Sequence, residues 1–124
     1  MSINTSKPTE SRANKRLWIQ EKTLILLDQS KVPPLFAEIA ACWALFWVDD
    51  FKVLSKKRPP NTDADLVKLV LRSLRSSELR AERLPHFPDG MPARRIKMMS
   101  VRVFCSELPQ EQQSYILAML RQAY

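Results

Sequence analysis

Pro33-Pro34-Leu35-Phe36-Ala37-Glu38-Ile39-Ala40-Ala41-Cys42-Trp43-Ala44-Leu45-Phe46-Trp47-Val48 is the most apolar run in the chain. Phe36, Ile39, Ala40, Trp43, Phe46 and Trp47 recur at i, i+3, i+4 spacing, the period of one helix face. The opposite side carries Ala37, Ala41, Ala44, Leu45 and Val48, with Glu38 the one charge. A helix apolar nearly all round is a buried one, so this segment is expected at the centre of the fold, as core rather than a binding face. Its alanines would let another helix approach closely, and its surplus of apolar surface leaves room for a homodimer interface. Pro33-Pro34 suits a first turn, where the missing N–H is not needed. Asp49-Asp50 reads as the end, at the pole where the macrodipole disfavours anions. The run is too short for the roughly 20 apolar residues of a membrane span.

Outward from this helix, the rest of the 124 residues also reads as helical. Residues 1–11 read as a flexible tail and 12–124 as a single helical domain. A helix over Arg12–Ser30, with Ser11 as N-cap, draws its apolar surface from Leu17, Trp18, Ile19, Leu24, Ile25 and Leu27. Lys31-Val32-Pro33 ends it, because the residue before proline is pushed out of the α region. Phe51–Leu54 reads as a short stub and Ser55–Asn61 as a loop. Thr62-Asp63-Ala64-Asp65 resembles a capping box. The helix it opens runs to about Ser76, with Ser77–Arg83 as a continuation or restart, on a stripe of Leu66, Val67, Val70, Leu71 and Leu74. Leu84–Pro92 is a Pro-rich connector. Ala93–Cys105 reads as a helix on Ile96, Met99 and Val103. The competing reading makes Val101–Cys105 a strand paired with 51–54. Pro109–Ala123 is an amphipathic helix on Tyr115, Ile116, Met119, Leu120 and Ala123. The expected fold class is mostly α, a small domain of about five helices with Pro-rich connectors and at most one short two-stranded β pairing.

Composition narrows function mainly by exclusion. The only glycine is Gly90. Dinucleotide fingerprints, P-loops and nucleophile elbows all need more, so the common nucleotide-binding enzymes and hydrolases are excluded. The one histidine, His86, rules out His-rich zinc sites. Cys42 and Cys105 sit in apolar settings with no CxxC, which predicts two reduced thiols. Asp49-Asp50 and Asp63/Asp65 read as helix-end residues rather than paired catalytic carboxylates. The sequence predicts no catalytic residue, no metal, no cofactor, no small-molecule substrate and no membrane partner. No apolar leader opens the chain, and a cytoplasmic location is the expectation.

Charge is the positive signal. The net formal charge is +7, and residues 66–105 hold nine basic against three acidic side chains. Lys68, Arg72 and Arg75 fall within roughly 60° of one another on a helix, away from the Leu66/Val70/Leu74 side. Arg94, Arg95, Lys97 and Arg102 form a second cluster, and Lys56-Lys57-Arg58 a third. Arginine grips phosphate bidentately, so the expected role is a non-enzymatic accessory or regulatory protein. Its basic surface would bind nucleic acid or occupy the nucleic-acid site of a larger complex. The candidate contacts are Lys68, Arg72, Arg75, Arg94, Arg95, Lys97 and Arg102. The alternative is a protein-interaction module, an adaptor, inhibitor or dimeric scaffold, whose basic face meets an acidic protein. A helix-turn-helix over 93–123 is poorly supported, since its second helix holds only Arg121.

Overall fold

A computed structural model describes the backbone of residues 3–81 and 93–123, and side chains over 13–29, 31–76 and 94–122. Among the described residues there are five helices and no strand: α1 Ile3–Ser30, α2 Pro34–Lys57, α3 Asp63–Ala81, α4 Ala93–Ser106 and α5 Gln110–Ala123. Helix α2 packs against α1, α3 and α4, while α5 packs on α4. The most apolar segment is therefore the hub, as its sequence predicts. Ala37, Ala40, Ala41 and Ala44 are fully buried along it, and Trp43 and Trp47 are core side chains.

The hub is longer than its apolar run. It continues through Asp49-Asp50 and the expected 51–54 stub to Lys57. The Asp pair therefore lies inside the helix, and Asp49 meets Lys15 of α1 at 3.4 Å. The true C-terminus carries Lys56 and Lys57, the sign the macrodipole favours, and the Arg58 N–H closes it on the Leu54 carbonyl at 3.0 Å.

Helix α4 settles the 93–105 ambiguity in favour of the helix. Val101, Val103, Phe104 and Cys105 are all buried, with α2 and α5 as neighbours, and Arg102 alone among them is exposed. The helix is one-sided, with Arg94, Arg95, Arg102 and Ser106 exposed and Ile96, Met99, Val103 and Phe104 buried, and packing on that side outweighs the β preference of valine. Its ring stack anchors it: Phe104 lies on Trp47 at 4.1 Å between centroids, 13° from parallel, and meets Phe51 edge-on at 5.5 Å. The Trp47 indole N–H is buried with no acceptor among the described residues. Such a group costs about 1–3 kcal/mol, which the stack and the apolar burial must offset.

Helix α1 begins upstream of Ser11, at Ile3. It ends at Ser30, as expected, and of its expected apolar residues Trp18 and Leu27 pack against the core, but the side chain it buries most deeply was not among them. Leu26 is 1% exposed, whereas Leu17, Leu24 and Ile25 are exposed. Trp18 and Lys22 fasten α1 to the α4–α5 turn. The Trp18 Nε1–H donates to Glu107 Oε1 at 3.2 Å, and Lys22 Nζ reaches the same oxygen at 2.9 Å.

The α1–α2 turn places Lys31 at a φ of +48°, the left-handed cap position that glycine fills without strain. Lys31→Gly is expected to raise stability by about 0.5–1 kcal/mol, because relief of the cap outweighs the freedom gained by the unfolded chain. Urea unfolding reads this as a higher midpoint, and a lower one would contradict it.

Helix α3 opens as predicted: the Asp65 N–H donates to Thr62 Oγ1 at 3.1 Å. It runs unbroken to Ala81, so Ser77 is no restart. Its buried side is Leu66, Val70, Ser73 and Leu74. The expected connector Leu84–Pro92, with His86 and Gly90, lies outside the described residues.

Candidate functional site

The buried stripe of α3 fixes where its cations go. Leu66, Val70 and Leu74 face α2, so Lys68, Arg72 and Arg75 are turned outward, and all three are exposed. Ser73, next to Arg72 in the chain, is buried in the core, where its hydroxyl donates to the Leu69 carbonyl at 2.9 Å. This small, internally satisfied residue lets α3 lie close to α2 beneath the basic face.

Lys68 and Arg72 line a cleft of about 350 Å³ with Arg58, Pro59, Pro60, Asp65 and Leu69. Arg58 comes from the turn after α2, and the two prolines set that turn's course. Among the described residues, Arg58, Lys68, Arg72 and Arg75 make no ion pair. Arg75 stands one turn beyond Arg72 and does not line the cleft.

The α4 cluster is a separate patch. Its helix packs on α2 and α5, and its main contacts do not include α3. Arg94, Arg95 and Arg102 are exposed. Lys97 is half-buried, with its ammonium 5.8 Å from the Trp43 ring centroid, a cation–π contact between α4 and the hub. The structure thus joins Lys68 and Arg72 to Arg58, and sets Arg94, Arg95, Lys97 and Arg102 on another helix. Arg58 was legible only as part of a basic run. Its convergence with α3 depends on how far α2 extends, which the Asp pair obscured.

Other chemistry has little to stand on among the described residues. No group of three or more His, Cys, Asp or Glu side chains is placed to hold a metal ion. Both cysteines are free thiols. Burial pushes the Cys105 thiol up to about 12, and burial followed by the Glu38 charge raises that of Cys42. A nucleophilic thiolate needs the opposite shift. Asp63 and Asp65 occupy the first turn of α3, as a helix start favours. Helix α5 offers Arg121 as its one cation, which keeps it a poor recognition helix. No described helix is long and apolar enough to cross a membrane.

No protein-family model, no curated protein and no solved structure matches the chain. Any functional reading therefore stands on the residues themselves.

Proposed function

We propose that the chain is a small, non-enzymatic accessory or regulatory protein whose basic surface binds nucleic acid through its phosphates. It would do so directly or by occupying the nucleic-acid site of a larger complex. One observation carries this reading: Lys68, Arg72 and Arg75 project from one face of α3, with Arg58 beside them and no ion pair among the described residues. Arg94, Arg95, Lys97 and Arg102 on α4 supply a second set of phosphate contacts. Contacts of this kind position the protein and carry no sequence information, so binding should be tolerant of sequence.

Replacing Arg72 and Arg75 together by alanine is the test. Each phosphate contact contributes about 0.9 to the slope of log K against log salt on duplex DNA. The double variant should bind more weakly on every sequence and show a slope shallower by about 1.8. Fluorescence polarisation measures both, and unchanged affinity and slope would sink the assignment. Both side chains are exposed, so the fold should survive, and a circular dichroism melt verifies this.

A second reading, an interaction module meeting an acidic protein, is favoured by α1. Leu17 and Leu24, seven residues apart on that helix, are 56% and 66% exposed, apolar surface that a partner protein could cover. Size exclusion with light scattering separates the two. A stable oligomer without nucleic-acid affinity favours the module, and co-purified nucleic acid favours the first reading.

A further inference from the structure

We propose that the cleft between the end of α2 and the opening turns of α3 binds a phosphomonoester dianion, held by Arg58, Lys68 and Arg72. This rests on the basic-surface reading and names the group that part of the surface takes.

Charge selects the group. The cleft is lined by three cations and one carboxylate, Asp65, for a formal balance of +2. A backbone phosphodiester brings one negative charge, whereas a phosphomonoester brings roughly 1.5 to 2 near neutral pH. The monoester matches the cleft, and the diester leaves about one cation uncompensated. On α1, Lys15 pairs with Asp49 and Lys22 with Glu107. Arg58, Lys68 and Arg72 have no such partner among the described residues.

Shape agrees with charge. Lys68 and Arg72 are one turn apart on a rigid helix, with bases on the same side, while Arg58 approaches from the facing turn. Guanidinium groups on two walls can each grip a phosphate bidentately, and lysine adds a point charge. The volume, about 350 Å³, is at the small end of the ligand-site range of roughly 300–1,000 Å³. It exceeds what a bare phosphate needs. Leu69, Pro59 and Pro60 give the remainder of the ligand apolar surface to lie on. Prolines also fix their own φ, which lowers the ordering cost when the turn closes on a ligand.

Heteronuclear NMR on the full chain tests this with a nucleoside 5′-monophosphate, its parent nucleoside and dimethyl phosphate. Saturable shifts confined to residues 58–72 are expected with the monophosphate, several-fold weaker ones with the diester, and none with the nucleoside. Arg58→Ala should weaken the monophosphate by about tenfold, and Arg121→Ala, at an exposed position of α5, should leave it within about twofold. Shifts of equal size over the α4 cations, equal binding of monoester and diester, or an unchanged Arg58→Ala titration would each overturn the proposal. This readout does not depend on oligonucleotide binding. A chain that ignores oligonucleotides yet saturates with the monophosphate overturns the surface reading and upholds the cleft. Polarisation with 5′-phosphorylated and 5′-hydroxyl oligonucleotides then identifies the source. Tighter binding of the phosphorylated strand makes it a chain end, and equal binding makes it a free phosphomonoester.

Discussion

Phe104→Ala is expected to lower stability by about 3–5 kcal/mol, the cost of truncating a fully buried aromatic. Phe104 is 1% exposed and touches the hub at two points, stacked on Trp47 at 4.1 Å and edge-on to Phe51 at 5.5 Å. Its loss removes both ring contacts and leaves a void beside the buried Trp47 and the half-buried Phe51. The surrounding helices have little freedom to collapse into that space, so the cavity adds to the lost transfer energy. The damage also spreads along the chain, because α5 packs on α4 and α4 is held by this ring. Domains of this size have roughly 5–15 kcal/mol in total, so the variant should sit near its unfolding midpoint at modest urea. Phe36→Ala, at a half-buried position on the same hub, is the internal control and should cost clearly less. A Phe104→Ala midpoint close to wild type would mean that α4 is not seated on α2 as described.

Much of this architecture was legible in the sequence, and where it was not the reasons are physical. The hub announced itself because 34–48 is apolar on every side, a pattern only burial satisfies. Pro33-Pro34 set the α1–α2 junction and Thr62 the start of α3 nearly to the residue. The end of α2 was misread because two adjacent aspartates look like a stop. A salt bridge to Lys15 accommodates one of them inside the helix, and that pairing depends on a neighbour far away in sequence. Strand-like Val101–Cys105 became helix because two neighbouring helices enclose it. On α1, six apolar residues gave no clean stripe. The structure buries Leu26 and leaves Leu17, Leu24 and Ile25 exposed, a choice made by docking rather than by period. Ser73 and Ser100 are wholly buried, yet nothing in a serine signals a core position. Each bonds its hydroxyl to a carbonyl of its own helix, Leu69 and Lys97 respectively, so no partner was visible in the sequence.

The site was legible in kind and not in arrangement. Periodicity placed Lys68, Arg72 and Arg75 on one face, and they are exposed as that face requires. Grouping them with Arg94, Arg95, Lys97 and Arg102 could not be judged from one dimension. The two helices meet chiefly through α2 rather than each other, and Lys97 is half-buried toward Trp43. Arg58 joins the α3 set only because α2 runs on to Lys57.

The salt dependence of nucleic-acid binding has the largest effect of all and bears directly on the central claim. Four cations on the α3 side, Arg58, Lys68, Arg72 and Arg75, predict a slope of log K against log salt of about −3.6 on duplex DNA. If the four of α4 engage as well, it steepens to about −7. Even the smaller value means a loss of about 10²-fold between 50 and 200 mM salt. Fluorescence polarisation of labelled duplex DNA, single-stranded DNA and RNA, titrated at both salt levels, is the measurement. A slope of about −3.6 or steeper on at least one ligand is the result this account predicts. No binding at low salt, or binding indifferent to salt, would contradict it and leave the basic face to an acidic protein or to solvent.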